Sequence, residues 1–231
     1  MNNRARWLPV ITNPGTLTRD ALSRSMVAVA GLAFVGVVTA GPMTAAQAAP
    51  QLATQQQAGK SADKRVDNYT FQAQPNIYYC GPASTRIALS AQGKVESQDE
   101  LAGKLGTTVA GTASAFDITR VLNEALGKDV YKTVEIPNNS ASQDEVQRMK
   151  ADLTKAVDEE RIPVVNVIGS AFDADGVQRS FSVGHYLTVV AYDGAGDKVK
   201  IADPWQPVGD GTYWIAVSDL ANWSASRGYS A

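Results

Sequence analysis

The chain has 231 residues, 21 basic and 23 acidic side chains, 44% hydrophobic residues and a formal net charge of −2. That balance is globular. It excludes the basic surface of a nucleic-acid binder and the low hydrophobicity of a disordered chain. With one cysteine and one histidine, the chain has no internal disulfide and too few soft ligands for a zinc site.

Arg4, Arg6, Arg19 and Arg24 precede an apolar run from Met26 to Ala40, and Ala46-Gln47-Ala48 follows. Positive, then apolar, then small-x-small is the order of a secretory signal peptide, predicted here over residues 1–48 with cleavage after Ala48. The run is interrupted by Gly31 and Gly36 and is short for a membrane span. The expected destination is therefore extracellular or in the cell envelope, with no membrane anchor after cleavage. Residues 49–66 are rich in Gln, Ala and Ser and read as a flexible leader. Residues 67–231 are one domain's worth of chain.

The lone cysteine closes the segment Gln74-Pro75-Asn76-Ile77-Tyr78-Tyr79-Cys80. Gly81-Pro82-Ala83-Ser84 then opens a helix expected to end near Gln92-Gly93, with proline in a first turn that has no use for its N–H. A cysteine at a helix start feels the positive end of the dipole, which favours the thiolate. Taken alone, it equally suits a buried inert thiol. Ser97-x-x-Glu100 and Ser142-x-x-Glu145 are capping boxes. The first opens a short helix to Gly106, the second a helix to about Glu159. Between them fall a helix from Ala115 to Leu126 and a strand from Val130 to Ile136. Apolar strands follow at 163–168, 180–192, 198–202 and 212–217, with a helical turn starting at Ser218. Helices first and strands afterwards predict an α+β domain with a mostly antiparallel sheet.

Asp173-Ala174-Asp175-Gly176 lacks the downstream ligands of a calcium loop and reads as a turn. Asp193 to Asp197, rich in glycine, predicts a hairpin turn. A turn centred near residue 195 sets His185 and Asp203 one diagonal step apart on adjacent strands, within side-chain reach. A carboxylate beside an imidazole fixes its tautomer and orientation. Pro204 ends pairing just after Asp203. A nucleophilic thiol needs such a base, and the base an orienter. Donors for the developing oxyanion would be the Cys80 N–H and the side chain of Gln74. Tyr78, Tyr79, Trp205, Trp214 and Trp223 could line a cleft, although aromatic residues so placed are more often core.

Gln74-x5-Cys80-Gly81-Pro82-Ala83, then Gly184-His185-Tyr186, then Asp203-Pro204, resembles the papain-like cysteine peptidases. The branch is that of the bacteriocin-processing, double-glycine-leader peptidases and their stand-alone relatives, and the likeness spans Phe71 to Val217. It implies a helical lobe carrying the cysteine against a sheet carrying the histidine. It further implies Cys80 as nucleophile, His185 as general acid/base, Asp203 as orienter and Gln74 as oxyanion donor, with no cofactor and no metal. The expected function is a secreted peptidase or amidase acting on a peptide or protein, cell-wall peptide included. An acyltransferase of transglutaminase type would use the same thioester, and a silent binding module would keep the fold without turnover. The membrane and nucleotide-binding parts of the exporters are not in this sequence, so their substrate class does not transfer.

Overall fold

The computed structural model describes residues 62–205 and 211–231. The expected signal peptide, and the expected leader up to residue 61, lie outside the described residues. In chain order the elements are β1 (Lys64–Arg65), α1 (Cys80–Ala91), α2 (Gln98–Leu105), α3 (Ala115–Leu126), β2 (Thr133–Val134), α4 (Gln143–Asp158), β3 (Val164–Phe172), β4 (Gln178–Tyr192), β5 (Lys198–Ala202), β6 (Thr212–Ala216), α5 (Val217–Trp223) and β7 (Gly228–Ser230). This is an α+β fold on one sheet, ordered β2-β7-β3-β4-β5-β6, with β1 added alongside β4. Every pairing among the described residues is antiparallel.

Local signals set the helices. Both capping boxes form: Ser97 accepts from the Glu100 N–H and Ser142 from the Glu145 N–H, with each glutamate reaching back to its cap. Gly106 and Gly127 end α2 and α3 in the left-handed region, where glycine carries no Cβ penalty. Ile118, Val121 and Leu122 of α3 and Met149, Leu153 and Val157 of α4 recur at helical spacing, and all are buried. Ten residues of α1 are buried, leaving Arg86 and Ser90 partly open, so α1 is a core helix rather than an amphipathic surface one. It is tied to the sheet where the Ser84 hydroxyl donates to the Tyr186 carbonyl at 3.0 Å.

The structure departs from the sequence reading in several places, among them an added strand, β7, at Gly228–Ser230. The strand expected over 130–136 shrinks to Thr133–Val134, because Asn123 occupies the backbone beside it: its side chain accepts from the Val130 and Tyr131 N–H groups and donates to the Tyr131 carbonyl. β3 and β4 run on as a hairpin to Phe172 and Gln178. The turn between them is the Asp173 segment, whose carboxylate accepts from the Asp175 and Val177 N–H groups and from Arg179. At the amino end, Lys64–Arg65 pair with β4 and Val66 is buried. The folded body therefore starts ahead of Asp67, the boundary that composition suggests.

Candidate active site

The junction before α1 places Cys80. Gln74 N–H donates to the Pro204 carbonyl at 2.9 Å, which ties the Gln74–Tyr79 loop to the segment after β5. The Asn76 side chain then accepts from the Tyr78 N–H. Cys80 is the first residue of α1, so its own N–H has no intrahelical acceptor.

His185 lies on β4 opposite Val167 of β3. The register slips between Val167 and Gly169, and Gly184 takes a φ of 92°, a backbone state that other residues rarely adopt. The bulge lets Phe181, four residues earlier on the strand, lie on the imidazole with ring centroids 3.8 Å apart. Phe181 in turn stacks on Trp223, whose indole N–H donates to the Gly169 carbonyl. Trp223 thus belongs to the support behind the histidine, while Tyr78 lines the cleft and Trp205 is exposed.

The hairpin register is the expected one near the site, with Thr188 opposite Ala202 and Val189 opposite Ile201, and a shift only toward the turn. Asp203 follows at once and is fully buried. Its Oδ1 lies 2.6 Å from His185 Nε2, a short separation typical of a charge-assisted bond. The same oxygen accepts from the Trp205 N–H, and Oδ2 accepts from the Tyr213 hydroxyl. Gly211, at φ 64°, accepts the Asp203 N–H, and a Cβ there would lie 2.6 Å from Phe71 and 2.8 Å from the Asp203 carbonyl. The carboxylate is therefore fixed from both ends of the β5–β6 connection.

With Nε2 held by Asp203, the other ring nitrogen is left for Cys80, and thiol and imidazole shift each other's titration toward the charged forms. Burial pushes the Cys80 thiol up. The His185 bond and charge, with N–H groups of Tyr186 and Gly81, outweigh it and leave the pKa below the ordinary thiol value. Burial also pulls His185 down, but Asp203 and Cys80 together carry it up to about 9. Both shifts favour a thiolate–imidazolium pair.

Gln74 does not stand as simply as its spacing suggests. Its Nε2 donates to the Asn76 carbonyl at 2.6 Å, while Oε1 is buried without a partner. An amide nitrogen carries two hydrogens, so one donor remains.

Cys80 opens onto a cleft of about 440 Å³. Ile77, Val109 and Val183 form an exposed apolar rim, the buried Asn166 and Tyr186 line the interior, and the half-buried Arg227 completes the wall. The far wall, around Thr112, sits against the start of α1: a Cβ on Gly81 would fall 2.2 Å from Thr112 Oγ1. Gly81→Ala is therefore expected to push the 107–112 wall outward. Thermal melts should show a loss of about 1–3 kcal/mol from overpacking, and peptide turnover should fall further than that loss of folded protein explains.

Sequence reasoning missed Phe181, the Tyr186 N–H and Arg227. Phe181 was legible in principle, since it sits on the strand that carries the histidine. Arg227 lies in a turn at the far end of the chain, with no spacing that links it to Cys80.

Fold and site define a papain-like cysteine-peptidase architecture, with a thiol at a helix start facing a strand-borne imidazole and its carboxylate. The chain belongs to the Peptidase_C39-like family, whose sequence profile matches residues 66–231. Among solved structures it is similar to a protein described as a C39-like peptidase from Bacillus anthracis, at 13% identity and a TM-score of 0.50, covering 74% of this chain and 97% of that one. It is also similar to the peptidase domain of Streptococcus ComA, a bi-functional ABC transporter of a quorum-sensing pathway, at 19% identity and a TM-score of 0.47, covering 70% and 96%. A third is a double-glycine-motif protease from an AMS/PCAT transporter in complex with its leader peptide, at 14% identity and a TM-score of 0.43, covering 72% and 91%. No curated protein matches the sequence significantly.

Proposed function

We propose that the chain is a secreted cysteine peptidase or amidase, exported by the signal peptide at residues 1–48, with Cys80 as nucleophile, His185 as general acid/base and Asp203 as orienter. The observation that carries this reading is the buried His185–Asp203 hydrogen bond coupled to the Cys80 thiol, which itself stands on the wall of an open cleft. The Cys80 thiolate attacks the carbonyl carbon and the π pair moves to oxygen. The Cys80 N–H and the remaining Gln74 donor are the groups assigned to stabilise that oxyanion. Collapse breaks the C–N bond as His185 gives its proton to the leaving amine, and an acyl thioester remains. Water then attacks with His185 as base, the C–S bond breaks, and the sulfur regains its electron pair. Phe181 covers the imidazole and keeps water from competing for Asp203.

Peptides are the substrate class that the apolar rim and extended cleft suit. Incubation with a peptide mixture prepared from a cell lysate, read by mass spectrometry for new amine termini, should give products that vanish in Cys80→Ala. The same incubation with an added amine separates hydrolysis from acyl transfer: a peptidase releases free carboxyl termini, whereas a transferase of the alternative class yields amine adducts. Absence of both kinds of product together with slow alkylation of Cys80 throughout would point to the silent binding module.

A further inference from the structure

Arg227 stands in the α5–β7 turn and lines the cleft that Cys80 opens onto. The turn is held rigidly. Ser226 takes a φ of 62° and its N–H donates to the Ile136 carbonyl at 2.7 Å, while the Arg227 N–H donates to the Ser224 carbonyl at 3.0 Å. Gly228, at φ 110°, presses on β2 so closely that a Cβ would fall 2.4 Å from the Val134 carbonyl oxygen. The guanidinium reaches back beside Gly184: a Cβ there would lie 3.7 Å from its Cζ and Nη2, and 3.8 Å from Asn166 Oδ1. The residue before the histidine and the arginine therefore share one wall.

No carboxylate among the described residues answers the charge of Arg227, which stands beside the thiol. Among the described residues it forms no ion pair, and its Nε is buried with no hydrogen-bond partner. Of the other partly buried guanidiniums, Arg161 is paired with Glu159 and Arg179 with Asp173, while Arg86 on α1, outside the Cys80 cleft, shares the lack of an ion pair and has a buried Nη1 without a partner. Arg227 is the one of these that lines the cleft of the thiol. A cation held by a strained turn, with a buried donor unused, is a poor way to stabilise a fold. It is a good way to bind an anion, because a guanidinium presents a planar fork matched to a carboxylate. The apolar rim above it gives little reason for a small inorganic anion to be the ligand.

We infer that Arg227 is a specificity-determining residue that selects peptides carrying a carboxylate close to the bond attacked by Cys80. The inference rests on the peptidase reading for its biological meaning, but its test does not. The carboxylate could be an Asp or Glu side chain or a free chain terminus, and both meet the same fork.

The test uses thiol-directed probes, so that recognition is measured without turnover. Iodoacetyl tetrapeptides are made in pairs that differ only in Glu or Gln at one position, and in pairs that differ only in a C-terminal acid or amide. The rate of Cys80 modification is followed by mass spectrometry. In the natural chain one acidic member should label about tenfold faster than its neutral partner, the effect of one charge-assisted contact. In Arg227→Gln that ratio should fall to about one, and Arg227→Lys should restore part of it. Which pair responds tells side chain from terminus. Acid-to-neutral ratios near one for every pair in the natural chain, or an unchanged ratio in Arg227→Gln, would overturn the assignment, and the first of these requires no variant to fold. Failure of the peptidase reading shows separately, as slow labelling by every probe that His185→Ala does not change.

Discussion

Iodoacetamide at pH 6 is expected to alkylate Cys80 rapidly, and His185→Ala to slow that reaction at least about a hundredfold. The nucleophile is the thiolate, and in the folded chain two opposing effects set how much of it is present. Burial disfavours the anion, while the imidazolium and the N–H groups of Tyr186 and Gly81 favour it and prevail. Removing the imidazole deletes the largest favourable contributor and leaves burial in place. The thiol then returns to or above its ordinary range, where roughly one molecule in three hundred or fewer is ionised at pH 6. The pH profile supplies a second readout. Labelling of the natural chain should stay high well below pH 8, whereas His185→Ala should label only as the pH climbs past the ordinary thiol range. If peptide hydrolysis is measured in parallel, its alkaline limb should fall near pH 9, where His185 loses the proton it must give to the leaving amine. A natural chain that labels slowly until pH 9, with no change on substitution of His185, would remove the catalytic reading.

Much of this arrangement was legible before any coordinates. Cys80 and His185 each occur in a chain with no other residue of their type, so the pair had no competitors. Asp203 was placed by hairpin arithmetic, which depends only on the turn position and the antiparallel ladder, and the observed partners Thr188 and Ala202 bear that register out. The helices were legible because their signals are local: Ser97 with Glu100, Ser142 with Glu145, Gly106 and Gly127. What could not be read depends on contacts between distant segments. β7 is three residues long and pairs on one side with β2 and on the other with β3, so no periodicity announces it. β1 has two residues and exists only because β4 runs past the end of β3. The bulge at Gly184 lets Phe181 lie on His185, yet an isolated glycine in a strand pattern signals a bulge without saying what it re-aims. Arg227 reaches the cleft only because Gly228 can press against β2. Spacing identified the candidate reacting atoms; long-range packing determined what surrounds them.

The same buried pair should leave its mark on stability. Asp203→Ala is expected to lower the unfolding free energy by about 3–5 kcal/mol near pH 6, the cost of taking one partner from a buried charged pair. His185 Nε2, the Trp205 N–H and the Tyr213 hydroxyl all lose their acceptor together. The deficit should depend on pH with a definite sign. His185 is raised from an unfolded value near 6.5 to about 9, so its contribution is complete below pH 6.5 and is lost as the pH rises toward 9. Cys80 runs the other way: its folded pKa is lowered, so its contribution is present above the ordinary thiol value and is lost as the pH falls through the folded one. The two slopes oppose each other across the neutral range, and the comparison is therefore made in a Cys80→Ala background. There, urea unfolding from pH 5.5 to 9.5 should show the gap between Cys80→Ala and Cys80→Ala/Asp203→Ala widest at the acid end and narrowing steadily above pH 6.5. Asp203→Asn should fall between them, because an amide keeps one acceptor oxygen but not the charge. Because Cys80 is absent from this background, the slope there reports what Asp203 alone does to the imidazole. A gap that is constant across the range would mean that Asp203 by itself does not hold the proton on His185 and that the thiolate is needed to keep it there.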